Sequence, residues 1–480
     1  MLSAQALLDQ AEQLLRGLSA RGFDQAQVKL IHTLRSEVCI AHNEPSLLRS
    51  NDSFALHIEG LLDGRRASAE TSSPDAVHWA QTIQSLWDSV QSAPQDDANQ
   101  LSSGQVALVQ RGLKTLAAGA GAGSGAGAGA GVGASASAGA GSSAGTGAGK
   151  DPVAGPASSS DEAPDSDHDI AALADAMASL LTWRQQQAPS AMLEDALAGH
   201  THQRTCFVSS GGSQLQSDLA WFDASVFALA REGGRSSSFN SAGGECGSLG
   251  DLCFEQLFGT AQMLQDLTRQ VHTEPLGAPF VGSVVLTPRA LAPLLSWLLG
   301  QLADQALIDG SSVYLKQVGQ RVAARGLSLR SRFEAPGVPP FTADGFLPTP
   351  LSLVEKGVLQ HLTPSLYGSR KTALPHVPVV HGWSVDAGIS PWQTLVAQVR
   401  QGALVDRLSM GRPAPNGDFS GVVKNSFAVR DGQLGPALQE TMISGNVAQM
   451  LRDISGLSRE RIDTGSWLLP WAVVPGLHFS

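Results

Sequence analysis

A run of small residues in the first third of the chain limits how the sequence can fold. Residues 117–149 are almost entirely glycine, alanine and serine, and a proline-containing, acidic stretch follows as far as residue 169. Such sequence cannot bury enough apolar surface to offset the entropy lost on ordering. Alternating Gly-Ala also occurs in silk-like stacked sheets, but one copy within a mixed sequence favours disorder. We predict a disordered linker or insertion over residues 113–169.

Short segments before the tract alternate apolar and polar residues as β-strands do. Gln27–Ile31, Glu37–Ala41 and Phe54–Ile58 are predicted strands, and Asp75–Val90 has the spacing of a helix. These elements predict a small α+β domain over residues 1–112.

The sequence directly after the tract is predicted to form a central domain of helices and strands over residues 170–275. Ile170–Trp183 and Leu215–Arg231 are predicted helices, and Thr205–Ser209 lies in a predicted strand.

The last part of the chain, residues 276–480, carries many short strand patterns separated by glycine and proline. Val281–Leu286 is a predicted strand, and Pro288–Leu302 a predicted helix that is broken or kinked at Pro293. The chain is therefore predicted to be α+β, with a small N-terminal α+β domain and a larger C-terminal mixed domain whose sheet is mainly antiparallel. A later helix places four apolar residues on one face: Val447, Met450, Leu451 and Ile454.

Charge and hydropathy exclude several classes of partner. The net charge is −11 and no basic run occurs, which argues against nucleic acid, because phosphate binding needs clustered Lys and Arg. Apolar runs fall short of the roughly 20 residues that a spanning helix needs, so no membrane partner is expected. The N-terminal helix contains acidic residues that a secretory signal lacks, and we predict a cytoplasmic protein.

The tightest group of metal-ligating residues is His200, His202 and Cys206. Residues two apart on a strand point the same way, so the three would share one face, and their softness suits zinc or copper. No second group has recognisable ligand spacing, and Arg204 lies among the three. A structural role is favoured, with an independent metal site as the alternative.

Serine and cysteine nucleophiles are not supported. The single Gly-x-Ser-x-Gly match lies within the low-complexity tract, without the strand and helix that a nucleophile elbow needs. Cys246 and Cys253 lie near carboxylates, which raise a thiol pKa instead of activating it. With Cys39 and Cys206 they make four cysteines in 480 residues, too few for a disulfide framework.

A polar segment near the C-terminus, residues 416–421, has the chemistry of a structured turn. Asn-Gly favours positive φ, and the Asp and Ser side chains can accept from nearby backbone N–H groups, while Phe419 points into a core. The alternative is that this segment lines a peptide channel. Ser444 or Asn446 is positioned to cap the next helix, and Glu440 is either a cleft carboxylate or a solvated acid. The segment comprises Asn416, Gly417, Asp418, Phe419, Ser420 and Gly421.

The Asn416–Gly421 segment, together with the Glu440–Asn446 stretch that follows it, resembles the C-terminal signature of the TldD/PmbA metallopeptidase family. Gly60–Ala69, Val318–Val322, Phe341–Gly345 and Leu469–Leu477 resemble further family passages, so the resemblance covers most of the chain. The Gly-Ala tract is an insertion relative to the family. Arg330 and the stretch Ala373–Trp383 also depart from the usual pattern.

The resemblance implies a particular subtype, because one motif is missing. Zinc-binding members carry His-Glu-x-x-x-His on the helix after a strand like Val281–Leu286, whereas none of the twelve histidines here is followed by Glu. The matching helix begins Pro288-Arg289-Ala290 and has no His, Glu or Cys. The chain thus resembles the PmbA (TldE) type, which lacks the metal.

What the resemblance implies is a subunit of a heteromeric peptidase. A TldD-like partner would bring zinc and the hydrolytic water, this chain would hold no cofactor, and unfolded or small peptides would be the substrates. Whether the chain is an enzyme by itself is left open. Two alternatives remain: an independent metallohydrolase that uses His200, His202 and Cys206, or a scaffold without a proteolytic role.

Overall fold

The computed structural model describes residues 1–112, 166–248 and 254–480. It confirms the α+β class, with mainly antiparallel sheets. Most of the predicted linker, residues 113–165, and also Cys253 lie outside the described residues. Residues 166–169, which the prediction assigned to the linker, begin a helix instead.

The first sheet unites strands from both sides of the tract in the order β3-β2-β1-β5-β6-β4, with β7 and β8 paired to β6. Residues 1–112 and 191–246 thus share one sheet, because β1 pairs along its length with β5. The strands are β1 (Gln25–Ala41), β2 (Glu44–Leu62), β3 (Arg65–Thr71), β4 (Val106–Arg111), β5 (Ala191–Ser209), β6 (Gln214–Glu232), β7 (Arg235–Ser236) and β8 (Asn240–Cys246).

In the part of the chain that the structure describes, four helices cover one face of this sheet. The first begins at a Ser3 cap and buries Leu7, Ala11 and Leu18 against strand residues such as Leu30. The helices are α1 (Ala4–Arg21), α2 (Ala76–Ser92), α3 (Ser166–Gln187) and α4 (Thr260–Arg269), the last preceded by a 3-10 segment, Phe254–Gly259. The opposite face meets the second sheet region, where the Phe207 and Phe341 rings lie 6.2 Å apart.

The predicted helix over Leu215–Arg231 is wrong, because this segment belongs to β6. From Phe222 to Ala230 every second residue is buried, which is the strand period. Alanine and leucine gave the segment a helical composition, but it pairs with β5 on one side and with β4 and β8 on the other. Tertiary pairing therefore overrides the local preference.

The second sheet lies within residues 273–479 and is mostly antiparallel, with parallel pairings of β10 to β15, β14 to β20 and β17 to β9. Its strands are β9 (Thr273–Glu274), β10 (Phe280–Leu286), β11 (Leu329–Ser331), β12 (Ser352–Glu355), β13 (Val358–Leu359), β14 (Trp383–Val385), β15 (Gln401–Ser409), β16 (Asp418–Arg430), β17 (Gln433–Leu438), β18 (Thr441–Asn446), β19 (Gly456–Asp463) and β20 (Trp467–Phe479).

Five helices accompany the second sheet: α5 (Pro288–Leu302), α6 (Asp304–Ile308), α7 (Leu366–Thr372), α8 (Trp392–Ala397) and α9 (Val447–Asp453). The apolar face of α5 packs on the sheet, where Leu291, Leu294 and Leu298 are fully buried with Val284 and Val474. Among the described helices, none is long and apolar enough to cross a membrane.

Candidate functional site

Helix α5 occupies the position where the resemblance puts the metal helix of zinc-bearing relatives. The Thr287 side chain caps its N-terminus by accepting from the Ala290 N–H, and Pro288 fits the first helical position, where no N–H partner is needed. The helix runs to Leu302 without the predicted break at Pro293. This proline lies in the second turn, where it removes a single bond to the Arg289 carbonyl.

An ion pair at the start of α5 joins the two sheets. Arg289 Nη2 donates to both Asp406 oxygens at 2.9 Å, and Nε donates to Oδ1 at 3.2 Å. From the first sheet, Asn240 Nδ2 donates to Asp406 Oδ2 at 2.6 Å. Asp406 lies on β15, so this carboxylate accepts from two other elements, α5 and β8, and its charge is balanced by Arg289.

A cavity of about 320 Å³ opens beside this ion pair. One wall is apolar, and the other carries the Arg289–Asp406 pair. Its lining comes from β8, α5, β15, β19, β20 and the turn between the last two strands: Asn240, Ser241, Pro288, Arg289, Ala292, Pro293, Asp406, Arg407, Leu408, Ile462, Thr464, Trp467 and Leu469.

The residues at this position do not fit zinc. A zinc site needs several neutral imidazole, thiolate or carboxylate ligands that converge on the ion. Helix α5 offers none of them, and Asp406, the carboxylate beside it, is engaged by a guanidinium and an amide. Across residues 1–112, 166–248 and 254–480, no group of three His, Cys, Asp or Glu side chains is arranged to hold a metal.

The sequence-predicted cluster on β5 is not brought together around a common point. His202 Nε2 lies 2.6 Å from Asp218 Oδ1, and Arg204 donates to the other oxygen of Asp218 at 3.0 Å. Cys206 is buried, and desolvation raises its thiol pKa to about 12. Four residues along a strand separate Cα atoms by roughly 13 Å, so His202 and Cys206 cannot ligate one ion.

His200 also belongs to the packing of the sheet, since its ring lies 4.6 Å from that of Phe222 on β6. Asp218 holds the polar part of the cluster together. Although burial by itself raises the pKa of this carboxyl, the hydrogen bond and charge of His202 and the charge of Arg204 lower it on balance. The geometry is that of a cross-strand ion pair.

The Asn416–Gly421 segment builds a turn that leads into β16. Gly417 has φ +94°, and its N–H donates to the Ala414 carbonyl. Asn416 donates to an Asp418 oxygen at 2.7 Å and accepts from the Asp418 N–H at 3.1 Å. Phe419 is buried as predicted, whereas Ser420 is exposed.

Asn446 ties this turn to helix α9. Its amide nitrogen donates to the Asn416 carbonyl and to Asp418 Oδ1, while its oxygen caps the helix by accepting from the Gln449 N–H at 3.0 Å. Hydrogen bonds from Asn446 and Asn416 lower the pKa of the Asp418 carboxyl. Trp297 of α5 lies beneath the turn and donates to the Ala414 carbonyl at 3.3 Å. These contacts account for the turn structurally.

Glu440 lies away from the turn and forms a surface contact. Lys424 Nζ is 2.7 Å from its carboxylate, and Ser238 Oγ donates to the same oxygen at 3.2 Å. The Lys424 hydrogen bond lowers the pKa of this half-exposed acid.

Sequence reasoning missed the ion pairs that cross between elements, of which those of Asp406 and Asp223 are examples. Asp406 and Asn240 carry no motif, and their partners are distant in sequence. On the face of the first sheet opposite the helices, Arg35 donates to both Asp223 oxygens at 2.7 and 2.8 Å, across the intervening strand β5. Gly199 lies between them, where a Cβ would come within 2.8 Å of Arg35. A glycine on the strand that an ion pair crosses is the one feature of the sequence that could have indicated this contact.

Comparison with known proteins supports the resemblance drawn from the signature. Residues 281–480 match the PmbA/TldA metallopeptidase C-terminal domain. A metalloprotease from Methanothermobacter thermautotrophicus is 24% identical over 194 residues, covering 37% of this chain. The match spans 42% of that relative's length.

Solved structures share the fold over the whole chain. TldE from Thermococcus kodakarensis superposes with a TM-score of 0.75 at 15% identity, covering 100% of both chains. A Bacteroides thetaiotaomicron protein described as a candidate modulator of DNA gyrase also gives 0.75, at 18% identity and 98% coverage of both chains. Residues 281–480 are thus a C-terminal domain of the PmbA/TldA metallopeptidase family, and the whole chain has the fold of TldE.

Proposed function

We propose that this chain is the non-zinc subunit of a cytoplasmic TldD/TldE-type metallopeptidase complex that degrades unfolded or small peptides. The observation that carries the proposal is helix α5, whose fifteen residues include no His, Cys, Asp or Glu. The start of the helix holds Arg289, a cation that disfavours a metal ion nearby, and this cation is fixed by Asp406.

In this proposal the hydrolytic chemistry belongs to a TldD-like partner. Zinc there would lower the pKa of its bound water and polarise the scissile carbonyl. The present chain would contribute walls: its two sheets meet at Asp406 and Asn240, and the cavity beside them is lined by α5, the helix that the resemblance matches to the metal helix. The role of such a subunit is to hold peptide extended and to exclude folded substrates.

The alternative of an independent metallohydrolase on β5 gains no support from the geometry. His202 is held by Asp218, and Cys206 lies too far along the strand to share an ion with it. The alternative of a non-proteolytic scaffold makes a distinct prediction, namely a complex whose formation leaves peptide cleavage unchanged.

Reconstitution tests the proposal. The chain and a TldD-like chain bearing His-Glu-x-x-x-His are purified alone and together, and cleavage of an unfolded peptide is followed by mass spectrometry. We expect a stable complex, no cleavage by the present chain alone, and cleavage by the mixture well above that of the partner alone. Cleavage by this chain alone, with stoichiometric zinc, would overturn the proposal. A complex without added cleavage would favour the scaffold.

A further inference from the structure

The cavity beside Arg289 and Asp406 is suited to an uncharged group. Its apolar wall includes Leu408, Ile462 and Trp467. Arg289 and Asp406 on its other wall are paired with each other, so neither is available to a charged ligand without losing its partner. The third charged residue of the lining, Arg407, donates to the Phe239 carbonyl at 2.7 Å. The volume of about 320 Å³ is at the small end of ligand pockets, a size for one large side chain and not for a cofactor.

An unpaired strand edge runs along this cavity. Strand β8 pairs with β6 on one side only. The Glu245 N–H donates to the Thr464 carbonyl, which lies away from β6. In an antiparallel ladder the backbone groups alternate in direction, so those of Ser241 and Gly243 also point outward. The Arg231 N–H of β6 donates to the Ser190 carbonyl on the β5 side. Counting along β6 from this bond, the backbone groups that face β8 are those opposite the inward groups of β8, so the two strands agree on which β8 groups point outward.

One of these outward groups is occupied, because the Ser241 N–H donates to Asn240 Oδ1 at 3.0 Å. The Ser241 carbonyl and the Gly243 backbone are the outward groups left for a further strand. Within the described residues, no backbone hydrogen bond from outside the β6–β8 ladder reaches the N–H or the C=O of Gly243. Ser241 is exposed and lines the cavity, whereas Gly244 packs directly on Thr464, where a Cβ would come within 2.7 Å of backbone. The free edge is therefore short, and it ends at the wall of the cavity.

We propose that the outer edge of β8 and the adjoining cavity bind an extended peptide segment, whose main chain pairs with Gly243 and with the Ser241 carbonyl while one large apolar side chain enters the cavity. An exposed strand edge supplies affinity through the main chain, and a neighbouring pocket supplies side-chain preference. This inference deepens the proposed function, on which it rests, by naming the substrate feature that this subunit recognises. The feature is a phenylalanine- or leucine-like residue in an extended stretch.

Binding of designed peptides to the chain alone tests this inference without the zinc partner. The probe is a fluorescent, end-blocked, uncharged hexapeptide with one central Phe, and its binding is measured by anisotropy. We expect the Phe→Ala peptide to bind at least tenfold more weakly. N-methylation of the backbone is expected to weaken binding at alternate positions only, because only every second N–H faces the strand. The N-methylated peptides test the strand pairing without any change to the protein.

Variants of α5 locate the site. Ala292→Phe fills the cavity and is expected to weaken binding of the Phe peptide at least tenfold, whereas Ser296→Phe, at an exposed position of the same helix that does not line the cavity, leaves it unchanged. Thermal unfolding checks that both variants are folded. Equal affinity of the Phe and Ala peptides, or N-methylation effects without alternation, would overturn the inference.

Two other outcomes would also contradict it. Binding of free phenylalanine amide as tight as that of the peptide would indicate a small-molecule pocket without strand pairing. Concentration-dependent dimerisation that Ala292→Phe abolishes, without peptide binding, would assign the edge to a second copy of the chain. Because all these readouts use the isolated chain, failure here is distinguishable from failure to assemble an active peptidase.

Discussion

Two carboxylates, Asp218 in the first sheet and Asp406 in the second, each accept from an arginine and one further side chain, yet they join different parts of the molecule. The partners of Asp218 are His202 and Arg204 on the adjacent strand, no more than 16 residues away. The partners of Asp406 are 117 and 166 residues away, on α5 and β8. The first group stabilises one strand pair, whereas the second fixes the two sheets relative to each other and walls a cavity.

The difference shows why the histidine cluster drew attention in the sequence and the cavity did not. Ligand-type residues close together in sequence are easily noticed, but on a strand they are spread along its length. The Asp406 group has no local pattern, because topology alone assembles it. Substitutions that remove the hydrogen bonds of one group and then of the other, followed by unfolding measurements, separate a local contribution to stability from one that links the two sheets.

The largest effect is expected at Asp406. Asp406→Asn leaves the Arg289 cation partly buried without a counter-charge, which should lower the free energy of unfolding by about 3 kcal/mol in urea denaturation. The double variant Arg289→Met with Asp406→Leu removes both charges and should recover most of this loss. Equal destabilisation of the single and double variants would show that the pairing is not what stabilises the junction.

A neighbouring acid, Asp266 on α4, should respond in the opposite direction. Burial raises the pKa of this carboxyl to about 6, and Asp406 adds to the rise. Because the folded-state pKa exceeds the unfolded value, the folded chain binds more protons between about pH 4 and 6, and stability falls as the pH rises through that window. Asp266→Asn should add about 2 kcal/mol at pH 7 and flatten the dependence. Unfolding at pH 4, 5, 6 and 7 checks this; an unchanged slope contradicts it.

The smallest effect is expected in the first sheet. His202→Phe removes one hydrogen bond from Asp218 but leaves Arg204, so the loss should be about 1 kcal/mol at pH 7. The lowered pKa of Asp218 stabilises the fold above its ordinary value of 3.8, and this contribution is lost as the pH falls below it. The difference between variant and parent should therefore shrink in acid. A loss as large as that of Asp406→Asn would remove the contrast between the two groups.

Local chemistry explains what the sequence could predict. Thr287 and Pro288 mark the start of α5, Asn416-Gly417 marks a turn, and Asn446 caps a helix, because each acts on backbone groups a few residues away. The choice of α5 as the helix that matches the family's metal helix came from the resemblance to the family, and the absence of metal ligands was then read from its residues.

What escaped the sequence depended on distant pairing. The helix expected at Leu215–Arg231 is a strand, since its neighbours β5 and β8 come from either side of it in the chain. The union of residues 1–112 with β5 and β6 in one sheet could not be read across the Gly-Ala tract. The same holds for Asp406 and Asn240, which meet only after both sheets have formed.

Zinc content of the reconstituted complex tests the central claim most directly. A complex is prepared with the partner intact and with both histidines of its His-Glu-x-x-x-His motif replaced by alanine, and zinc per complex is measured together with peptide cleavage. We predict that zinc falls to background and cleavage is lost in the second complex, although the present chain is unaltered. Stoichiometric zinc that stays with this chain would contradict its assignment as the non-zinc subunit.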